Sequence, residues 1–178
     1  TMSRFRSPGA KKAALEALRK GRAQERLYAV LALSAHKGTD VDNALAEVAA
    51  GAHAPAAAQA ALILAQPGRV GAVPALLPLL AHKEWQVRAA AAHALGLLAE
   101  RTALKPLAAQ LAADAGTARA EMVKALETIT KQKWGDAPLK WKAVAEGTDP
   151  AAVKEDAVLP PTAFGIPITG QRVVFVLD

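Results

Sequence analysis

The stretch Ala72-Val73-Pro74-Ala75-Leu76-Leu77-Pro78-Leu79-Leu80, followed by Glu84-Trp85-Gln86-Val87-Arg88-Ala89-Ala90-Ala91-Ala92 and then Ala94-Leu95-Gly96, decides how this chain folds. In its second half Val87, Ala91, Ala94, Leu95 and Leu98 fall at i, i+4, i+7, i+8 and i+11. That spacing is one apolar stripe of a helix with 3.6 residues per turn. The four alanines at 89–92 leave no bulk to hold a neighbouring helix away. Close helix packing is therefore expected, near the low end of the usual range of about 8–10 Å. Pro74 and Pro78 each remove a backbone donor and bend the first half of the stretch. A bent first helix suits the outer side of a curved array.

The same pattern recurs on both sides at a spacing of 31 residues. Arg26, Arg88 and Arg119 keep that register, with Ala57 in the missing slot. So do Ala32-Leu33, Ile63-Leu64, Ala94-Leu95 and Ala125-Leu126, and likewise Leu18, Ala49, Leu80 and Leu111. A fixed period of this length is the mark of a stacked helical repeat, in which no single unit can bury its apolar face alone. Four helix pairs are predicted, over about 8–35, 40–65, 70–99 and 102–130. Their first helices span about 8–20, 41–50, 70–81 and 103–113, and their second about 22–35, 55–65, 84–99 and 117–130. Ser7 before Pro8 reads as an N-cap with proline at the first helical position. Asp40 and Thr102 are expected to cap the helices after them, Pro55 opens another, and Gly21, Gly38, Gly51 and Gly116 mark the breaks.

Composition agrees. Hydrophobic residues make up 52% of the 178 residues but aromatics only 4%, so alanine and leucine carry the apolar content. Both are strong helix formers, whereas a sheet protein draws on β-branched and aromatic residues. The chain has no cysteine, which excludes disulfides, thiolate metal sites and thiol nucleophiles.

With these residues in place, Ala72–Leu80, Glu84–Ala91 and Ala94–Gly96 together resemble a bacterial HEAT repeat. The resemblance is close over 70–130 and weaker over 8–65, where the second repeat lacks the arginine. It implies an all-α fold, a right-handed α-solenoid of about four HEAT-like pairs, used as a scaffold for protein contacts. The repeat signature is one of packing and names no partner.

The segment Lys131-Gln132-Lys133-Trp134-Gly135-Asp136-Ala137-Pro138-Leu139-Lys140-Trp141-Lys142 follows the fourth repeat. It reads as a capping helix over 136–146, started by Asp136. Leu139 and Val144 would cover the open end while a tryptophan closes the edge, as the last unit of a solenoid requires. Residues 147–170, with Pro150, Pro160-Pro161 and Pro167, read as an extended linker. Residues 171–178 then supply Val173-Val174-Phe175-Val176-Leu177-Asp178, a continuous apolar run of the kind that is buried on both faces of a parallel sheet. Such a strand needs neighbours for its backbone groups, so it is expected to belong to a following domain. Residues 166–178 resemble the entry to a von Willebrand factor type A domain. That resemblance implies a magnesium role for Asp178, provided the rest of such a domain follows; a lone strand ending in a solvated acid is the other reading.

Charge and chemistry narrow the function. Residues 1–26 hold eight bases (Arg4, Arg6, Lys11, Lys12, Arg19, Lys20, Arg22 and Arg26) against Glu16 and Glu25. They account for the whole net charge of +6, and residues 27–178 are formally neutral. A groove that tracks phosphates would spread its bases over several repeats; here they form one basic end. His36, His53, His82 and His93 share no metal-ligand spacing. The first three fall near helix ends, as polar surface or capping residues, and His93 falls inside a second helix. Ser3, Ser7 and Ser34 lie in no nucleophile elbow, and no phosphate-binding glycine loop is present.

The expected protein is a non-catalytic scaffold without a cofactor, contacting a partner protein or neighbouring domain, as the N-terminal part of a longer chain with a type A domain. Its candidate contact residues are Arg88, Arg119 and Glu121 on the second helices, and Trp134 and Trp141 in the tail. Arg88 and Arg119, recurring at the repeat period, have a second reading as ties between repeats. The alternative is nucleic-acid binding through the basic end and the Trp/Lys tail. It resembles the HEAT-like DNA glycosylases, whose residue types Trp85, Trp134, Trp141 and Asp136 supply here. No run approaches the roughly 20 apolar residues of a membrane span. The start lacks a secretion signal and Thr1 ahead of Met2 reads as a cloning scar, so a cytoplasmic place is expected, with an upstream signal left open.

Overall fold

The computed structural model describes residues 7–153 together with 162–163 and 166–167. Nine α-helices occupy the described residues: α1 Pro8–Lys20, α2 Ala23–Leu33, α3 Thr39–Ala49, α4 Ala54–Leu64, α5 Ala72–Leu76, α6 Trp85–Leu98, α7 Leu104–Ala113, α8 Gly116–Thr130 and α9 Pro138–Glu146. Apart from the one over 70–81, each predicted helix is present within a few residues. The helices fall into two layers. The second helices α2, α4, α6 and α8 pack in succession, while α1, α3, α5, α7 and α9 form the other layer. Within each unit the first helix packs on its own second helix. This is a helical-repeat array with one apolar seam, running from Leu18 and Leu33 through Leu64, Leu95 and Leu126 to Trp141.

The seam follows from side-chain size. Ala61, Ala92 and Gly96 are buried on successive second helices, so α4, α6 and α8 approach closely. A Cβ on Gly96 would lie 3.0 Å from Ala125 Cα, which leaves this position to glycine. One period on from Ala92 and Gly96, Val123 and Glu127 are only half-buried. Among the described residues α8 has no second helix beyond it, since α9 packs on α7 as the first helix of an incomplete fifth unit.

Local punctuation matches the expected breaks in part. Ser7 Oγ accepts from Ala10 N at 3.1 Å with Pro8 at the first position of α1. Gly38, at φ 137°, leads into α3. The predicted helix 70–81 is split: α5 ends at Leu76 and a 3-10 helix runs over Leu77–Ala81. Pro78 is the cause, because its ring displaces the carbonyl four residues back and offers no N–H. Pro74 and Pro106 each stand third in their helix, where an N–H has no helical partner anyway; there they cost little.

Three capping expectations are corrected. Asp136 does not cap α9, whose N-cap is Ala137 without a side-chain bond; its carboxylate takes Arg119 instead. Asp40 lies in the first turn of α3 and binds Lys11 of the preceding unit at 2.7 Å. Thr102 sits within the 3-10 turn Arg101–Ala103. The end of the array is also closed differently from the expectation. Trp141 is fully buried there, donating its Nε1 hydrogen to Gly135 O at 2.7 Å, whereas Leu139 is 47% exposed.

After α9 a 3-10 turn spans Pro150–Ala152, and Thr162–Ala163 pairs antiparallel with Ile166–Pro167. The strand expected over 171–178, with Asp178, lies outside the described residues.

Candidate functional site

The two arginines expected on the contact surface, Arg88 and Arg119, share one kind of environment. Arg88, in the first turn of α6, donates to His82 O at 2.7 Å and Lys83 O at 2.9 Å, the carbonyls that end its own first helix. The same guanidinium holds Asp114 of the next unit through Nε and Nη2. Arg119 repeats the arrangement one period later. It donates to Leu111 O at 2.6 Å and to both carboxylate oxygens of Asp136 in the capping segment, at 2.8 and 2.9 Å. Each arginine therefore closes a first helix and ties its unit to the next. The hydrogen bond from Arg88 holds the Asp114 carboxyl below its usual value against the opposing effect of burial, and Asp114 in turn raises the Arg88 guanidinium. In the first unit, Arg26 donates to Gly21 O at 2.9 Å and, among the described residues, to no carboxylate of the next unit.

The second unit has Ala57 where the arginine should stand, and Arg69 replaces it from the loop after α4. Its Nη1 donates to Asp42 Oδ1 at 2.9 Å, and its Nη2 to Leu33 O and Ser34 O at 3.3 and 3.2 Å. Asp42 Oδ2 also accepts from Val70 N at 3.1 Å. The Arg69 side chain is 0% exposed and that of Asp42 is 4%. Sequence reasoning missed this pair because Arg69 lies off the 31-residue register, just after Pro67-Gly68 in the loop that follows α4. His36, expected at the surface or as a cap, is also buried, and its Nε2 has no hydrogen-bond partner among the described residues.

Glu121 stands apart from these ties. It lies on the open face of α8, where Oε2 meets His93 Nδ1 of α6 at 3.1 Å and Oε1 accepts from Lys124 at 2.6 Å. Burial pushes its carboxyl up, but the bonds from Lys124 and His93 outweigh it and leave the group below its usual value. Glu121, His93 and Lys124 border a groove of about 550 Å³ between α6 and α8, with Gly96, Leu97 and Ala125 among its lining. This face carries Tyr28 and Leu31 on α2, Leu62 on α4, and His93 and Leu97 on α6, of which Leu31, Leu62 and His93 share one register position. Tyr28 is 63% exposed, Leu31 45% and Leu97 63%, while Leu62 is half-buried.

The tail tryptophans do not form a stacking surface. Trp141 is 0% exposed. Trp134 is half-buried, donates to Gln132 Oε1 at 3.1 Å, and has Lys140 Nζ 5.2 Å from its ring centre. Trp85 opens α6 with 48% of its surface exposed. Arg88 and Arg119 thus bond within the array, Trp141 is buried in it and Trp134 packs against its core, while Glu121 borders the groove between α6 and α8. No cluster of three or more His, Asp or Glu suited to a metal ion occurs among the described residues. No helix of the described residues is long and apolar enough to cross a membrane.

Paired helices stacked at a constant period, with the arginines of the third and fourth units each tied to the segment that follows, define a helical-repeat protein. The family model described as HEAT repeats matches residues 41–127, the stretch that runs from α3 into α8. Comparison with curated proteins and with solved structures gave no match.

Proposed function

We propose that the protein is a non-catalytic scaffold that holds a partner protein or neighbouring domain against the face formed by α2, α4, α6 and α8. HEAT repeats commonly act through protein contacts. The observation that carries the reading is the exposure of Tyr28 and Leu31 on α2 and of Leu97 on α6. Three large apolar side chains stay exposed on second helices, although the apolar seam lies beside them. Large apolar groups gathered on one face of a folded surface mark a contact site. The right-handed winding and concave placement of the second helices, which the HEAT resemblance implies, belong to the same reading. Glu121 keeps its expected contact role here, while Arg88 and Arg119 take their second reading as ties.

The test places a photo-reactive amino acid in turn at Tyr28, Leu31 and Leu97, and at Ala13 and Ala109, which are also exposed. Discrete protein adducts should form from the first three positions and not from the last two. Equal labelling at all five would remove the assignment of this face.

A further inference from the structure

The groove between α6 and α8 differs from the rest of this face in its charge. Its floor is apolar, made by Leu97 and Ala125, and Gly96 keeps it open by offering no side chain. Of the two carboxylates on its wall, Glu121 is held by His93 and Lys124, and Glu127 accepts from Gly135 N at 3.2 Å. Both are thus engaged with donors of the protein itself. At the end of the groove stand Lys131 and Lys133, exposed, and neither ammonium has a carboxylate or hydrogen-bond partner among the described residues. The site therefore combines an apolar floor with two free cations at one end.

We propose that this groove binds a segment of a partner protein in which a leucine-sized apolar side chain is followed by one or more carboxylates. The proposal rests on the scaffold reading above and names the chemistry of its partner. The apolar residue would cover Leu97, which is 63% exposed, and the carboxylates would meet Lys131 and Lys133. Neutralising exposed charge adds specificity and speeds encounter more than it adds affinity, so the apolar anchor holds the segment and the lysines select it. A nucleic acid fits worse. Its phosphates would meet the Glu121 and Glu127 walls, and the lining contains no Phe, Tyr or Trp for a base to stack on, its one imidazole, His93, being held by Glu121.

Fluorescence anisotropy on the full chain tests this with three labelled probes. They are a twelve-residue peptide of leucines and glutamates, its counterpart with lysine for glutamate, and a twelve-nucleotide oligothymidine. The acidic peptide should bind, and the double variant Lys131→Glu/Lys133→Glu should weaken it at least tenfold, as should Leu97→Asp. All of these positions are exposed, so the variants should keep the parent melting curve. No binding of the acidic peptide up to millimolar protein, equal binding of the two peptides, or tighter binding of the oligonucleotide would each overturn the proposal. If crosslinking at Tyr28 and Leu31 still yields a partner in that event, the scaffold reading stands and only the groove's assignment falls.

Discussion

Gly96 and Ala125 sit so close across the α6–α8 seam that a methyl on the glycine would lie 3.0 Å from Ala125 Cα and 3.1 Å from its Cβ. The atom in the way is backbone, so relief requires α6 and α8 to separate. Gly96→Leu should lower stability by about 1–3 kcal/mol, the usual cost of overpacking a tight contact. Leu97→Ala, one residue on and 63% exposed, should change it by less than about 0.5 kcal/mol. Urea denaturation of the two variants checks the contrast.

The Arg69–Asp42 pair is buried on both sides, and removing either partner strands the other charge. Asp42→Ala should destabilise the protein by about 3–5 kcal/mol. The Lys11–Asp40 pair also joins the first two units, but Asp40 is exposed and the pair is screened by solvent. Asp40→Ala should leave the melting curve almost unchanged. Thermal denaturation by circular dichroism separates the two.

Stability should fall in acid, with Asp114 as a contributor. Arg88 holds its carboxyl below the ordinary value of 3.8, so the fold binds fewer protons there than the unfolded chain does. The contribution is present above about pH 4, where the unfolded carboxyl is ionised, and disappears as pH falls through the depressed folded value. Asp114→Asn should reduce the slope of stability against pH in that range and lower stability at neutral pH. Denaturation curves between pH 2 and 7 measure both, on the order of five pH values being enough to define the slope.

Trp141 should matter far more than Trp134. Trp141→Ala removes a side chain with 0% exposure and should cost about 3–5 kcal/mol. Trp134 is half-buried, and its replacement by alanine should cost clearly less. Deleting 131–146 should expose the last unit, reducing both solubility and melting temperature. An unchanged melting curve would mean that this segment does not cap the array.

The array was legible in the sequence because its cause is periodic. Positions such as Leu33, Leu64, Leu95 and Leu126 repeat the same burial at the same interval, and their register places every second helix. The ties were half legible. Arg88 and Arg119 announced themselves by recurrence, but Asp114 and Asp136 do not share a register position, so the ion pairs could not be read from spacing. Arg69 was hidden by its place in a turn. Leu139 and Trp141 were assigned to the cap in the wrong order of burial: they lie two residues apart on α9, and composition does not say which faces α7. The contact face was partly legible. Glu121 was found from helix position, whereas Leu97 and His93 emerge only when α6 and α8 are set side by side.

The central claim is that the described helices form an open array in which each unit is supported by its neighbours, leaving the second-helix face free for a partner. Hydrogen exchange on Leu33→Ala, a cavity in the first unit at a fully buried position, tests this most directly. The array predicts that exchange rises most in α1 and α2, less in α4 and α6, and least in α8. An equal rise across all nine helices would show one closed cooperative core and contradict the account.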